Sequence, residues 1–136
     1  MDRKRSWVLV LWLLGMLFPV GWLGNISPRF EAILSTVFSP EWVHWLMHAA
    51  LFASLAVFLI WVFELTISRR TLGLIILAGF LVGLIQEWLQ LLAGVQVLGW
   101  NTFFDLCVDS LGLLIGFGIA AIGNRKRRPE QDSARR

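Results

Sequence analysis

Residues 103–122 read FFDLCVDSLGLLIGFGIAAI, a run of 20 residues in which Asp105 and Asp109 are the charged members. A run of this length crosses the ~30 Å hydrocarbon core of a bilayer as an α-helix. Three further apolar runs precede it, at Trp7–Gly24, Trp42–Thr66 and Leu72–Ala93. Because a segment in lipid must satisfy its own backbone hydrogen bonds, the pattern predicts an all-α bundle of four transmembrane helices.

The composition excludes an ordinary soluble domain. The chain has 136 residues, a mean hydropathy of +0.72 and 15% charged residues, against about 25% in soluble domains. A chain of this size buries only about two-thirds of its surface on folding, so it could not hide this much apolar surface from water. Membrane lipids are therefore its expected partners. In such a chain, basic ends indicate orientation in the membrane, and we expect no nucleic-acid binding.

Basic residues concentrate beside three of the predicted membrane boundaries. They make up 11 of the 12 Lys and Arg residues: Arg3, Lys4, Arg5, Arg69, Arg70, Arg125, Lys126, Arg127, Arg128, Arg135 and Arg136. The positive-inside rule then predicts a multi-pass protein of the cell membrane with both termini cytoplasmic. We interpret residues 1–123 as one transmembrane domain and residues 124–136 as a basic, disordered cytoplasmic tail. Glu64 is expected to form an ion pair beside Arg69 and Arg70.

The connection after the first run predicts a short helix of its own. Ser27 can cap a helix that has Pro28 at its first position. Apolar residues then recur with helical spacing at Phe30, Ile33, Leu34, Val37 and Phe38. This spacing predicts an amphipathic helix over residues 28–38 on the outer membrane surface. The second outer connection, residues 94–102, carries no charge and is predicted to be a compact turn or re-entrant segment.

Polar residues occur in pairs inside three of the runs, where lipid makes them costly and therefore candidates for function. The pairs are His44 and His48, Glu87 and Gln90, and Asp105 and Asp109. Each pair is spaced three or four residues apart and so shares one helix face. At ~1.5 Å per residue, His48, Glu87 and Asp109 lie about 9 Å from the outer ends of their helices, and the other three about 3–5 Å. We expect two polar layers in a shared interior near the outer face.

Small residues lie on the same helix faces as the polar pairs. Gly79 and Gly83 precede Glu87 on the third run, and Gly112 and Gly116 follow Asp109 on the fourth. Glycine permits close approach of helices in lipid. We therefore expect the third and fourth helices to pack against each other through these two stripes.

The ordered set of polar residues is similar to that of a known family. His44 is followed by an aromatic residue, Glu87-x-x-Gln90 comes next, and Asp105-x-x-x-Asp109-x-x-Gly112-x-x-x-Gly116 opens the last run. Over residues 10–122 this order resembles the VanZ-like family of small bacterial membrane proteins, named for a teicoplanin-resistance accessory protein. The resemblance implies a role in the cell envelope, with glycopeptide resistance in the founding member, and places His44, Glu87, Gln90 and Asp105 at the recurrent polar positions of the family.

The polar residues predict a pocket that binds an envelope precursor or a lipid headgroup at the outer leaflet. Its members are His44, His48, Glu87, Gln90, Asp105 and Asp109. Two alternatives are a structural cluster, whose hydrogen bonds fix the bundle, and a proton or ion pathway. A further alternative is a metal-dependent enzyme acting on a lipid-linked envelope precursor, with Glu87 as general base. The divalent metal, Zn²⁺, Mn²⁺ or Fe²⁺, would then take its ligands from His44, His48, Asp105 and Asp109.

Overall fold

The computed structural model describes residues 3–18, 26–38, 40–94 and 100–133. Within these residues, five helices follow one another: α1 (Arg3–Leu17), α2 (Pro28–Phe38), α3 (Glu41–Val62), α4 (Arg69–Leu92) and α5 (Trp100–Ser133). The described residues contain no strand, so the predicted all-α class is confirmed for them. Most of the turn predicted over residues 94–102 lies outside the described residues.

Three of the helices are long and apolar enough to cross a membrane: α3, α4 and residues Thr102–Asn124 of α5. Protein buries only 33, 28 and 22% of their most apolar stretches, respectively. The remainder exposes large apolar side chains, such as Leu74 at 62%, Trp88 at 59% and Ile119 at 56%. Exposed apolar surface on this scale requires a nonpolar covering. The three helices therefore indicate a membrane protein, as the composition predicts.

The first apolar run is represented by α1, which is 15 residues long, against the ~20 residues that cross a bilayer. Residues 19–24 of that run lie outside the described residues. α1 packs against the bundle through Leu9 and Met16, which are buried and lie two turns apart on one face. The Trp12 ring meets the Phe58 ring of α3 with 5.3 Å between their centres.

Arg5 joins the beginning of α1 to the end of α3. Its Nη1 donates a hydrogen bond to Glu64 Oε1 at 2.7 Å, and its guanidinium lies 5.2 Å from the centre of the Trp61 ring, within cation–π range. The two helices are therefore antiparallel. The predicted ion pair of Glu64 with Arg69 or Arg70 is wrong. Among the described residues, Glu64 pairs with Arg5 instead.

The closest helix contact is between α3 and α5. A Cβ atom on Gly112 would collide with the carbonyl oxygen of Ala49, and one on Gly116 with that of Ala53. Both partners advance by four residues in the same direction, so α3 and α5 run parallel. The glycine stripe of α5 thus packs on α3, and not on the stripe of α4 as predicted, because Ala49 and Ala53 offer a matching small-residue face.

α4 packs on the neighbouring face of α5. A Cβ atom on Gly79 would collide with the side chain of Leu113, and one on Gly83 would lie 3.0 Å from Leu106 Cδ2. α4 begins where the Ser68 Oγ accepts a hydrogen bond from the Thr71 backbone N–H at 3.1 Å. The α4 glycines therefore admit side chains of α5 between the two helices, while the α5 glycines admit the backbone of α3.

α2 has the bounds that the apolar spacing predicts. Ser27 caps it as expected, because its Oγ accepts a hydrogen bond from the Arg29 backbone N–H at 3.3 Å. Phe30, Ile33 and Val37 are about half exposed. Their exposure agrees with an apolar face directed at lipid, and the location of α2 on the outer leaflet stays a prediction.

The helix directions bring the basic segments to one end of the bundle. α1 begins at this end, α3 ends there, and α5 runs parallel to α3, so the C-terminal end of α5 lies there too. The polar pairs near the start of α3 and α5 lie at the opposite end. α5 itself is helical through Ser133, and so its backbone continues into the segment that the sequence predicts to be disordered from Asn124 onwards.

Candidate functional site

Two histidine–aspartate pairs connect α3 and α5. His44 Nε2 lies 3.4 Å from Asp105 Oδ2, and His48 Nδ1 lies 2.8 Å from Asp109 Oδ1. The pairs form because each helix carries its two residues four apart on one face, and the helices run parallel. The two imidazole rings lie 4.5 Å apart, centre to centre. The pairs therefore form one cluster, in which each histidine meets the aspartate that the sequence analysis assigns to the same layer.

The cluster is buried except at one of its members. His48, Asp105 and Asp109 are only 5, 3 and 4% exposed, whereas the side chain of His44 is 40% exposed. His44 lies in the first turn of α3, three residues after its beginning. The His44 side chain is therefore the exposed edge of an otherwise buried cluster.

Glu87 of α4 completes the cluster from a third helix. It is 5% exposed and lies beside the hydroxyl of Thr102, within electrostatic reach of His48, Asp105 and Asp109. One turn earlier, a Cβ atom on Gly83 would lie 3.1 Å from Asp109 Oδ2. The absence of a side chain at Gly83 thus leaves room for the Asp109 carboxylate between α4 and α5.

Two buried polar residues near Glu87 in the structure or in the chain were missed by the sequence analysis. The Thr102 Oγ1 is buried beside the Glu87 carboxylate, and the Gln86 Oε1, one residue before Glu87, is buried with no hydrogen-bond partner among the described residues. Gln86 follows Gly79 and Gly83 by seven and three residues, a helical spacing that could have identified it. Thr102 has no such signal, since it precedes the last apolar run.

Gln90 is the sixth predicted residue of the pocket. It is half-buried, and among the described residues it forms no hydrogen bond with the histidines or carboxylates. Cys107 is exposed, because it lies about 200° around α5 from the buried Asp105 at about 100° per residue. The structure therefore brings together five of the six predicted residues: His44, His48, Glu87, Asp105 and Asp109.

The deeper pair determines which nitrogen of His48 is available to a ligand. When Asp109 is ionised, its carboxylate only accepts hydrogen bonds, so Nδ1 of His48 carries the proton between them. In the neutral imidazole, the lone pair then resides on Nε2. The pair thus orients His48 as a base or as a ligand through Nε2.

Three side chains of the cluster could hold a metal ion. His44, His48 and Asp105 each offer a ligand atom, and these atoms all lie within 4.8 Å of one another. Imidazole nitrogen and carboxylate oxygen are the ligands that zinc and neighbouring divalent metals accept in proteins. Of the four metal-ligand candidates from the sequence, Asp109 is instead the hydrogen-bond partner of His48.

The fold and the cluster together define an all-helical protein with three potential membrane spans and buried ionisable groups between them. Comparisons with protein-family models, with curated proteins and with solved structures find no match to this chain. The function therefore has to be inferred from the geometry of the cluster.

Proposed function

We propose that this chain is a VanZ-like multi-pass membrane protein that binds a polar, envelope-associated ligand in the cluster of His44, His48, Glu87, Asp105 and Asp109. The observation that carries the proposal is the convergence of three carboxylates and two imidazoles from three helices. Ionisable groups inside a membrane protein are costly and usually mark a functional site.

A ligand explains features that a purely structural cluster does not require. Interhelical hydrogen bonds could fix the bundle with the two histidine–aspartate pairs alone. Glu87 adds a third buried carboxylate, beside the Thr102 hydroxyl, and among the described residues neither histidine is paired with it. A buried carboxylate is costly in a low-dielectric interior, so a third one in the same cluster favours a bound ligand or cation.

The proposed orientation places the cluster at the outer leaflet. Arg3, Lys4 and Arg5 lie at the same end of the bundle as Arg69 and Arg70, because α1 and α3 are antiparallel. The positive-inside rule assigns this end to the cytoplasm. The opposite end, with both histidine–aspartate pairs, then faces the outer leaflet, where an envelope precursor or lipid headgroup is accessible. In this proposal the first apolar run is a fourth span, and α2 lies on the outer surface.

Reporter fusions should confirm this topology. A reporter at Ser35 or Val97 should be active outside the cytoplasm, and one at Arg69 or after Arg136 should be active inside it, because 11 of 12 basic residues adjoin the same predicted side. Compartment-specific activity of phosphatase and fluorescent-protein fusions provides the measurement. An external C-terminus would contradict the model, and an internal Ser35 would exclude the fourth span.

An envelope role can be tested through glycopeptide tolerance, which the family resemblance implies. We expect the full chain, expressed in a teicoplanin-susceptible Gram-positive host, to raise the inhibitory concentration of teicoplanin. The double variant His44→Leu/Asp105→Leu should lose this effect, since it removes the more accessible polar pair. Glu41→Gln is the matched control, because it neutralises an exposed carboxylate one turn before His44 on the same helix.

Two results would contradict the proposal. A wild-type chain that is present in the membrane but leaves teicoplanin tolerance unchanged would exclude the glycopeptide link. A double variant that keeps full tolerance would exclude the cluster as the ligand site. Membrane abundance, measured for all variants, separates these results from a failure of expression.

A metal-dependent enzyme acting on a lipid-linked precursor is the second candidate, favoured by the ligand atoms of His44, His48 and Asp105. In this alternative Glu87 is the general base, because its carboxylate lies near the cluster without being one of those three ligands. Glu87→Gln keeps the shape and removes the base. If the chain is an enzyme, this variant should abolish the teicoplanin tolerance of the host at unchanged membrane abundance. If the chain only binds a ligand, the host should keep its tolerance.

A further inference from the structure

We propose that His44, His48 and Asp105 bind one divalent metal ion, with zinc as the preferred metal, and that Asp109 is a positioning residue that orients His48. The inference rests on the proposed function, because it identifies the chemical group through which the same cluster would recognise its ligand. It adds a ligand set, a coordination geometry and a role for Asp109.

The outer pair has the geometry of two metal ligands more than that of a strong hydrogen bond. His44 Nε2 and Asp105 Oδ2 are 3.4 Å apart, at the long limit for a hydrogen bond, which is typically ~2.9 Å. Two ligands on one tetrahedral zinc ion, with bonds of about 2.0–2.1 Å, are separated by about 3.3 Å. The observed separation therefore accommodates a metal between the two atoms with little movement.

The deeper pair has the geometry of a metal ligand with its supporting carboxylate. Histidine ligands commonly donate their second ring N–H to a carboxylate, which sets the tautomer and makes the ligating nitrogen more basic. His48 Nδ1 is 2.8 Å from Asp109 Oδ1, and both side chains are buried. This hydrogen bond leaves the His48 Nε2 for the metal. The two pairs, similar in sequence spacing, thus have different roles.

The spacing along the helices agrees with a single ion. His44 and His48 are one turn apart on α3, and their rings lie 4.5 Å apart at 47° to each other. Two histidines four residues apart on one helix face are a recurrent arrangement for zinc ligands. Asp105 comes from α5, so the ion would join two helices that already run parallel and in contact.

Three protein ligands leave one tetrahedral position for water or a ligand oxygen. Access to it is through the side of His44, whose side chain is 40% exposed. Glu87, buried near the same groups, can accept a hydrogen bond from a metal-bound water. A metal also explains how an acidic cluster could recognise an anionic carboxylate or phosphate, since the open position prefers an oxygen donor.

The charge of the cluster favours a cation. Three carboxylates and two neutral imidazoles carry a net charge of −3 if all three carboxylates are ionised, and one divalent ion reduces this to −1. Buried charge of one sign is costly in a low-dielectric environment. Two protonated histidines would reduce the charge equally, so metal binding has to be measured directly.

The test uses the full chain, purified in detergent and stripped of metal with a chelator. We expect the wild type to bind one Zn²⁺ per chain, measured by elemental analysis after desalting and by competition with a chromogenic chelator. Asp105→Asn and His44→Gln should weaken binding by more than about 100-fold, beyond the range typical of supporting residues, and Asp109→Asn by about 10–100-fold. Glu41→Gln should leave zinc affinity unchanged.

Substitution of Co²⁺ for Zn²⁺ in the wild type provides a second measurement that does not depend on variants. Tetrahedral Co²⁺ with imidazole ligands should produce intense visible absorption, and Asp109→Asn should shift it. A folded wild type that binds neither metal would overturn the inference, as would Asp105→Asn and His44→Gln chains with wild-type affinity.

The result is separable from that of the proposed function. If the wild type binds no metal but His44→Leu/Asp105→Leu still abolishes teicoplanin tolerance, the metal site is wrong and the polar pocket stands. If zinc binds as expected but the double variant retains tolerance, the metal site stands and the proposed role of the pocket falls.

Discussion

Replacing Gly116 with alanine should destabilise the bundle, and replacing it with leucine should prevent α5 from packing on α3. The new Cβ atom would collide with the Ala53 carbonyl oxygen and lie 2.8 and 2.9 Å from the Ala53 carbonyl carbon and Cα. These are backbone atoms of a helix and cannot rotate away, as a side chain could. Overpacking of this kind costs about 1–3 kcal/mol for a small addition, and more for leucine.

The matched control for Gly116 lies two residues further along the same helix. Gly118 has no atom within 4 Å of the position that a Cβ would occupy. Gly118→Ala should therefore be neutral or stabilising, by up to about 1 kcal/mol, through the better helix propensity of alanine. Free energies of unfolding, measured by denaturant titration of the purified full chain in detergent micelles, compare the three variants. Equal stability of Gly116→Ala and Gly118→Ala would contradict the close packing of α3 on α5.

Substitutions that separate α3 from α5 should also change the geometry of the polar cluster. Gly112 and Gly116 follow Asp109 on one face of α5, and they set the distance between the two helices at which His48 and Asp109 are 2.8 Å apart. Leucine at Gly116 should therefore weaken zinc affinity as well as stability, although Gly116 contacts none of the proposed ligands.

Removing one member of the deeper pair should cost more than removing both. His48→Leu leaves the Asp109 carboxylate, 4% exposed, without its buried partner, and breaking a buried pair in this way typically costs about 3–5 kcal/mol. Interhelical hydrogen bonds in membrane proteins contribute only about 0.6 kcal/mol on average. The double variant His48→Leu/Asp109→Leu should therefore recover most of the stability that the single variant loses.

A double-mutant cycle on the free energy of unfolding provides the measurement, with Asp109→Leu as the fourth corner. A double variant close to the wild type in stability, with single variants that are several kcal/mol less stable, would favour retention of the pair for function over a structural role. A double variant that stays as unstable as His48→Leu would instead favour the structural alternative, in which the cluster fixes the bundle.

The long apolar runs, the basic flanks and the helical spacing determine much of this molecule without tertiary information. The length of the apolar runs predicts the all-α class, because backbone N–H and C=O groups in lipid can form hydrogen bonds only with each other. The bounds of α2 are also determined locally, since Ser27 caps the helix and the apolar residues that follow have helical spacing. The common depth of His48, Glu87 and Asp109 follows from counting residues at a constant rise per residue.

Which helix faces which was decided by contacts between residues far apart in the chain. No local property of the glycine stripe of α5 determines whether it packs on α3 or on α4. Ala49 and Ala53 make α3 the partner, because their small side chains let the two helix backbones touch. Arg5 reaches Glu64 across 59 residues, past the nearer Arg69 and Arg70. The sequence alone thus determined which residues are polar and small, and predicted which of them share a layer. Only the tertiary structure decided that His48 is paired with Asp109 and that His44, His48 and Asp105 converge, because those distances depend on how closely and in which direction the helices pack.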